Sequence, residues 1–582
     1  MHPYARILDE IISLLNTDLY GLRGVIGERL LVSALREGKT NVYTYDGSRL
    51  VKLNEKPVNG VLEAKYNVSK AIIMRDVAKG REQYMLYEID PDAPGVEKPV
   101  EGVEPARILG GSYDDEVLVY GAATMAENAI FLVRDGKRSK VATLPGFAAV
   151  IDHKWPIAVG IGALKPTTGK FQLFIADLEK GDVKIHERPD GSILMARIAP
   201  DDSIVYTLDR SDNAVLMKLD PATMEDSELS LPGDDLKEYK PVSFNYIGYT
   251  PGGSLIAVAR KNGRSKIFLD GRLVKAPEGI HGAVYEWKGG LAVTHTSLSL
   301  PPRIIKLGGN DYEVLLTGSV PSNVTGALGS SGFALVESFD GERVPVFYLE
   351  SNRASKPGPT VVLVHGGPFA EDADMWNVLA GGLALAGFHV LMVNYRGSTG
   401  YGERWRLKII GDPCGGELED IISATRWAME SGLASHVYIM GYSYGGYMTM
   451  CALTKKPGEY KAGVAGASVV DWREMYELSD AAFKSFIHMV FGGRTELWDD
   501  RSPINFVENL RDPLMIIHPQ NDSRTPLKPV LRFMDKAAEH GKTFEAYIAP
   551  DMGHTVNTVE DALKILWPAV QFLLRQEGSV EK

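Results

Sequence analysis

The stretch that decides the fold of the second half of the chain is Gly441-Tyr442-Ser443-Tyr444-Gly445, which reads G-x-S-x-G. It follows the apolar run 437–440 and precedes an apolar segment of helical character at 446–453. A serine on such a sharp strand-to-helix turn projects its hydroxyl outward, and the flanking glycines leave room around it. The pattern predicts a nucleophile elbow. Its alternative is an ordinary glycine-rich turn, so residues elsewhere in the chain must decide between the two.

Apolar strands alternate with helices around this turn. The predicted strands are 360–364, 388–394, 437–440, 462–467, 514–518 and 544–549, and the predicted helices are 375–386, 417–431, 447–454 and 558–575. The run 360–364 has no polar alternation, as expected of a strand covered on both faces. This order predicts a doubly wound, mostly parallel α/β domain at residues 323–582, with ligand sites beyond the carboxyl ends of its strands.

Two further residues complete a catalytic triad with Ser443. Asp522 follows the strand 514–518, His554 follows the strand 544–549, and the order serine, acid, histidine is the order that α/β-hydrolases use. A serine hydroxyl needs a base to take its proton, and the base needs an acid to fix its tautomer. His365 and His518 also lie at the correct sheet edge, but His365 precedes the serine and His518 shares the loop of the acid. The sequence therefore predicts Ser443, Asp522 and His554 as the triad.

The segment His365-Gly366-Gly367-Pro368 closes the first long strand of this domain. In hydrolases such a loop donates one backbone N–H to the oxyanion, and the residue after the nucleophile donates the other. These positions predict Gly367 and Tyr444 as the oxyanion-hole residues. Glycine lets the backbone approach a substrate carbonyl closely.

The first half of the chain has a different character. Residues 5–16 carry apolar residues at helical spacing, which predicts an amphipathic helix within an N-terminal segment 1–21. From about residue 22 to 322, short strands end in acidic or glycine turns at Asp46, Asp90, Asp135, Asp177, Asp220, Asp270 and Gly308. The spacings of 44, 45, 42, 43, 50 and 38 residues are close to the ~40–45 residues of a propeller blade. Seven copies predict a seven-bladed β-propeller at residues 22–322.

Composition limits the classes of function. There are 63 basic and 75 acidic residues in 582, a net charge of −12, which argues against nucleic-acid binding. We find neither a basic-then-apolar leader nor a membrane-length apolar run, and so expect a cytoplasmic protein without a membrane partner. No cofactor or metal motif is present. Five glutamines hint at a thermophilic source. For Cys414 and Cys451, two free buried thiols are favoured over a disulfide.

Several motifs together resemble the prolyl oligopeptidase family of serine peptidases. They are N-Y-R-G-S-T-G-Y-G at 394–402, G-Y-S-Y-G-G-Y at 441–447, N-D-S-R-T-P at 521–526 and G-H at 553–554, preceded by the predicted propeller. The H-G-G-P segment is most similar to the acylaminoacyl-peptidase branch, particularly the archaeal form, because other branches use a tyrosine hydroxyl as an oxyanion donor.

The resemblance implies an activity. It implies release of an N-acylated amino acid from short peptides, hydrolysis of small acyl esters, and exclusion of folded proteins by the propeller. It also implies that the N-terminal helix packs on the hydrolase domain and that Arg524 binds a substrate carbonyl, with a structural ion pair as the alternative role. Families of this kind often self-associate, so a homo-oligomer is compatible with the resemblance. A carboxylesterase or a broad oligopeptidase with the same triad remains the alternative function.

Overall fold

The computed structural model describes residues 3–66 and 68–578. Met1, His2 and residues 579–582, which the sequence assigns to the N-terminal segment and to the hydrolase domain, lie outside the described residues. The order of elements is one helix, a long series of antiparallel strands and a mixed α/β domain. No helix in the described part of the chain is long and apolar enough to cross a membrane.

The first element is helix α1, Pro3–Leu15. Its apolar face recurs at helical spacing, and Ile11 and Leu14 are buried in the core of the C-terminal domain. Glu10 on the same helix pairs with Arg353 at 2.5 Å. The N-terminal helix therefore packs on the hydrolase domain, where the resemblance implies it to be.

A β-propeller follows α1, starting at Leu19, three residues before the predicted position 22. Within the described residues it comprises seven consecutive units of four antiparallel strands, and the third and fourth units share a sheet through Gly110 and Val150. The predicted seven-bladed propeller is confirmed. Its strands are β1–β4 (Leu19–Ile26, Arg29–Arg36, Lys39–Tyr45, Leu50–Lys52), β5–β8 (Gly60–Val61, Ala71–Asp76, Tyr84–Ile89, Glu97–Pro99), β9–β12 (Arg107–Tyr113, Val117–Ala123, Asn128–Arg134, Lys137–Leu144), β13–β16 (Phe147–Lys154, Ile157–Ala163, Gln172–Asp177, Val183–His186), β17–β20 (Ser192–Ile198, Ile204–Asp209, Ala214–Leu219, Asp226–Glu228), β21–β24 (Ser243–Tyr249, Leu255–Lys261, Arg264–Leu269, Arg272–Val274) and β25–β28 (Ile280–Trp287, Gly290–Ser297, Leu300–Gly308, Asp311–Leu316).

The ring closes by side-chain packing between its first and last units. Tyr20 and Leu22 of β1 share an apolar cluster with Tyr285 and Trp287 of β25, and the Trp287 indole N–H donates to the Glu28 carbonyl at 2.8 Å. Within the described residues, no strand is exchanged between these two units. Side-chain burial between neighbouring units therefore holds the ring together.

The C-terminal domain is built on one eight-stranded sheet with the order β29-β30-β32-β31-β33-β34-β35-β36. Its first two strands pair antiparallel, and the last six run parallel. Numbered β29–β36 in chain order, the strands are Leu328–Glu337, Arg343–Ser351, Gly358–Val364, His389–Val393, Ala434–Tyr442, Gly463–Gly466, Leu514–Pro519 and Phe544–Ala549. Apolar clusters cover both faces of the sheet, which confirms the predicted α/β-hydrolase architecture.

Apart from one short helix in the propeller, the remaining helices belong to this domain and lie between or beside its strands. Helix α2 is Asp235–Tyr239 in the propeller, and the others, α3–α11, are Ser322–Thr325, Val378–Leu385, Glu403–Leu407, Gly416–Glu430, Tyr444–Lys455, Trp472–Leu478, Ala481–Val490, Leu527–Glu539 and Val559–Gln576, with 3₁₀ turns at Thr495–Leu497 and Pro503–Asn509. The four predicted helices all form, with ends shifted by one to three residues. Helices α2, α3, α5, α8, α9 and α10 were not predicted.

One prediction about the core is wrong. Cys414 and Cys451 form a disulfide rather than two free thiols. Cys414 precedes α6 and Cys451 lies in α7, and both side chains are buried. The two positions are 37 residues apart in sequence, but their Cα atoms lie 6.2 Å apart because the loop before α6 folds against α7.

Candidate active site

The nucleophile elbow connects β33 to α7. Ser443 has φ 59° and ψ −123°, a left-handed region that costs a side-chain-bearing residue free energy and recurs at functional turns. A Cβ on Gly445 would lie 2.0 Å from the Val364 carbonyl oxygen, so only glycine lets α7 approach the end of β31. The turn leaves Ser443 half-buried at the carboxyl edge of the sheet.

The structure brings the three predicted triad residues into one line of hydrogen bonds. His554 Nε2 lies 2.9 Å from Ser443 Oγ, and His554 Nδ1 lies 2.7 Å from Asp522 Oδ2. Because a carboxylate only accepts, Nδ1 carries the proton, and Nε2 is free to accept one from the serine. The Tyr442 hydroxyl donates to the His554 carbonyl oxygen at 2.8 Å, which holds the histidine loop against the elbow.

Asp522 is held as an ionised acceptor. It receives hydrogen bonds from the backbone N–H groups of Arg524 and Thr525 at 2.9 and 2.8 Å and from the Thr525 hydroxyl at 2.8 Å. Burial acts to raise the pKa of Asp522, but the neighbouring His554 and these donors keep that pKa below its usual value. His518, the other histidine considered at this sheet edge, donates from Nε2 to the Thr525 carbonyl oxygen and so stabilises the loop that carries Asp522.

The segment 365–368 lies opposite the elbow. Gly366 approaches Ser443 so closely that a Cβ on it would lie 3.2 Å from the serine Cβ. His365 Nδ1 donates to the Gly366 carbonyl oxygen at 2.7 Å. Since a trans peptide unit points its C=O and N–H in opposite directions, this bond also fixes the direction of the Gly367 N–H. Gly367 has φ +119°, which favours glycine, and is exposed at the site.

Tyr444 is the first residue of α7, so its N–H has no carbonyl within the helix to bond. Its side chain is buried, and its hydroxyl donates to Glu417 Oε1 at 2.8 Å. Tyr444 thus adjoins Ser443 in sequence, and Gly366, the residue before Gly367, lies against Ser443 in space. The backbone N–H groups of Tyr444 and Gly367 are suited to an oxygen that gains negative charge.

The propeller brings one charged residue to the site that the sequence did not reveal. Glu82, in the loop between β6 and β7, is 2% exposed and accepts from Arg524 Nε at 2.8 Å and Nη2 at 2.5 Å. It also pairs with Arg107 and accepts from the Thr555 hydroxyl at 2.8 Å. Burial acts to raise the pKa of Glu82, but the two arginines lower it to about 2. Arg524 therefore occupies the ion pair that the sequence analysis gave as its alternative role.

This arrangement is suited to acyl transfer. A serine hydroxyl, an imidazole and a carboxylate lie in hydrogen-bond contact, and the first N–H of α7 adjoins the serine. No group of three or more metal-ligating side chains lies within residues 3–66 and 68–578.

Comparison with known proteins agrees with the architecture. Residues 31–305 match the family profile of the acylamino-acid-releasing enzyme-like N-terminal domain, and residues 378–579 match the prolyl oligopeptidase family. The acylamino-acid-releasing enzyme of Homo sapiens is 28% identical over 232 residues, 38% of this chain and 32% of that protein. Dipeptidyl aminopeptidase BIII of Pseudoxanthomonas mexicana is 31% identical over 212 residues, 35% of this chain and 31% of that protein. The match spans about a third of the length of these curated relatives.

The whole fold also has solved counterparts. The uncomplexed acylaminoacyl peptidase of Pyrococcus horikoshii superposes with a TM-score of 0.72 at 16% identity and covers 97% of both chains. That identity shows the shared fold alone. The part of the chain that contains the Ser443 elbow, residues 378–579, therefore belongs to the prolyl oligopeptidase family, and it follows a propeller of the acylamino-acid-releasing enzyme-like type.

Proposed function

We propose that this chain is a serine peptidase that releases an N-acylated amino acid from the N-terminus of short peptides and also hydrolyses small acyl esters. Ser443 Oγ attacks the scissile carbonyl carbon while His554 Nε2 takes the hydroxyl proton, and Asp522 stabilises the imidazolium. The Gly367 and Tyr444 N–H groups bind the oxyanion. Collapse of this intermediate breaks the C–N bond, and His554 gives its proton to the leaving amine. Water then hydrolyses the acyl-enzyme by the same sequence of steps.

The observation that carries the proposal is the close cover that the propeller forms over the triad. Asn521 donates to the Lys79 carbonyl at 2.9 Å, and a Cβ on Gly553 would lie 1.8 Å from the Gly80 carbonyl oxygen. On another side of the site, the Ala481 N–H donates to the Thr124 carbonyl at 3.0 Å. A folded protein cannot reach a serine covered in this way, whereas a short peptide or a small ester is small enough.

Preference for a blocked N-terminus is supported by the state of Glu82. A carboxylate near the site could bind the ammonium of a free N-terminus, but Arg107 and Arg524 already neutralise this one. A neutral acylated terminus needs no such partner. The human relative is named for releasing acylamino acids, which supports the same preference.

The test is a comparison of three substrates: an N-acetyl amino-acid p-nitroanilide, the same anilide with a free amine and a p-nitrophenyl ester. We expect turnover of the acetylated anilide and of the ester, with a lower kcat/KM for the free amine. Hydrolysis of the ester alone would support a carboxylesterase instead. Faster release from the free amine would support an aminopeptidase, and cleavage of a folded protein at a similar rate would contradict the size filter.

A further inference from the structure

We propose that Arg260, a residue of the propeller, positions the loop that carries Gly367 and thereby fixes the oxyanion hole of the other domain. The inference rests on the proposed acyl-transfer chemistry of Ser443. We call residues 365–377 the oxyanion loop, since they lie between the end of β31 and the start of α4. This loop contains neither helix nor strand, so its shape depends on contacts made by its side chains and backbone.

The second half of the oxyanion loop is held by the propeller through a two-point ion pair. Arg260 Nη1 lies 2.6 Å from Glu371 Oε1, and Nη2 lies 2.5 Å from Oε2. The side chains are 6% and 15% exposed, respectively. Such a bidentate pair fixes orientation as well as distance, which a lysine at the same position could not do.

A second anchor lies three residues further along the loop. Asp374 accepts from Arg264 Nε and from the Leu298 N–H, both at 3.0 Å, and its own N–H donates to the Gly263 carbonyl at 2.9 Å. Arg260, Gly263 and Arg264 belong to the β22–β23 hairpin, whereas Leu298 joins β26 to β27. Two propeller hairpins therefore hold one short stretch of the oxyanion loop.

The hydrolase domain supports the opposite side of the same stretch. Asn394 Oδ1 accepts from the Asp372 N–H at 2.7 Å, and the Tyr401 hydroxyl donates to the Asp372 carbonyl at 2.9 Å. A Cβ on Gly400 would lie 2.2 Å from Glu371 Oε2, so the carboxylate packs directly against the backbone of the hydrolase domain at Gly400. The loop is thus clamped between the two domains, and loss of one side leaves it with a single support.

A displacement at Glu371 has a short path to the oxyanion hole. Only three residues separate Glu371 from Gly367, and the Ala370 N–H donates to the Pro368 carbonyl at 2.9 Å, which makes this segment a compact turn. Without Arg260, a buried carboxylate loses its counter-charge and must take up a proton or move toward water. Either change alters the turn that orients the Gly367 N–H.

The experiment uses three test variants: Arg260→Met, Glu371→Gln and the double variant that carries both changes. Each is compared with the control variant Asp212→Asn. Asp212 is the matched control, because it is 74% exposed and pairs across the domains with Arg404 without touching the oxyanion loop. The assays are hydrolysis of a p-nitrophenyl ester and inhibition by a peptide boronic acid, which mimics the tetrahedral intermediate. We expect each single variant to lose kcat by about 10- to 100-fold, as for a displaced catalytic group. KM should stay unchanged, and boronate affinity should fall in parallel with kcat.

The double variant tests whether the two residues act as a unit. We expect its loss of kcat to equal that of either single variant, because both remove the same interaction. Additive losses, a change in KM alone, or an equal loss in Asp212→Asn would each overturn the proposal. If Arg260→Met does not fold, Glu371→Gln keeps the volume of the side chain and decides the matter alone. The ester assay separates this inference from the proposed function, since a wild-type enzyme that splits esters but not acyl-peptide anilides contradicts only the latter.

Discussion

Glu82 of the propeller and Arg524 of the catalytic domain are joined by two hydrogen bonds of 2.8 and 2.5 Å, although they lie 442 residues apart in sequence. Arg524 is two residues after Asp522, and Thr555, which also donates to Glu82, follows His554. One buried carboxylate of the propeller therefore contacts both loops that carry Asp522 and His554. The stability of the interface between the domains should depend on the charge of this carboxylate.

We expect Glu82→Gln to lower the free energy of unfolding at pH 7 by about 2–3 kcal/mol, since it removes the carboxylate that Arg524 and Arg107 share and leaves Arg107 only its pair with Asp480. This figure is below that of a fully buried pair because solvent reaches Arg524. The folded-state pKa of Glu82, about 2, lies below the ordinary 4.5. Its contribution is therefore complete above pH 4.5 and is lost as the pH falls toward 2.

Denaturant unfolding at pH 7 and pH 3 tests this prediction. The deficit of Glu82→Gln should be large at pH 7 and smaller at pH 3. Asp92→Asn is the control, because Asp92 is 81% exposed and its pair with Arg29 should contribute at most about 1 kcal/mol. A deficit that does not change with pH would show that the charge of Glu82 is not the cause.

Ser443→Ala should abolish covalent chemistry while leaving substrate binding intact. By comparison with other serine triads, we expect kcat to fall by about 10⁵- to 10⁶-fold. Labelling with a fluorophosphonate followed by peptide mass spectrometry locates the nucleophile. Ser435→Ala, at an exposed serine near the start of β33, should label at the wild-type rate. Labelling that persists in Ser443→Ala would contradict the assignment.

Helix α1 should stabilise the catalytic domain through its buried face. Ile11 is fully buried against this domain, so Ile11→Ala should reduce the free energy of unfolding by about 2–4 kcal/mol through lost burial and a residual cavity. Asp9→Ala, on the exposed face of the same helix, provides the control. Thermal unfolding of both variants measures the difference. Equal midpoints would mean that the helix contributes nothing by packing.

The sequence predicted the parts of the site that lie at strand ends, and missed those that form between domains. Ser443, Asp522 and His554 could be grouped from the sequence because parallel strands bring their carboxyl ends to one edge, where the three side chains meet. Glu82 and Arg260 were missed because each is an ordinary charged residue of a propeller strand or hairpin. The partner of each residue lies more than a hundred positions away in the sequence, and no periodicity links a residue to its partner. Such contacts depend on how two folded domains meet.

Two other features were not predicted: one had a local signal in the sequence, and the other depends on tertiary structure. Helix α9 begins after Asp480, whose side chain accepts from the Phe483 N–H as an ordinary N-cap, so its start could have been predicted. The Cys414–Cys451 disulfide could not have been predicted, because it depends on the approach of two segments that are 37 residues apart in the sequence. A count of two cysteines does not report the distance between their Cα atoms.

Glu417 gives a second and opposite dependence of stability on pH. This side chain is fully buried, and its Oε1 accepts from the Tyr444 hydroxyl at 2.8 Å and the Cys414 N–H at 2.6 Å. Oε2 has no hydrogen-bond partner among residues 3–66 and 68–578. Burial raises the pKa of Glu417 to about 8, against an ordinary 4.5. Because the folded state holds its proton more tightly, stability is complete below pH 4.5 and declines as the pH rises toward 8.

Glu417→Gln should remove this dependence, since an amide oxygen can accept the same two hydrogen bonds without ever ionising. We expect the variant to match the wild type at pH 4 and to be more stable at pH 9 by the order of 3 kcal/mol. Unfolding midpoints measured from pH 4 to pH 9 test this. Glu430→Gln, an exposed position on the same helix, should follow the wild-type curve throughout. If Glu417→Gln also follows that curve, the carboxyl is already ionised in the folded protein at pH 4, and an unlocated donor must stabilise its charge.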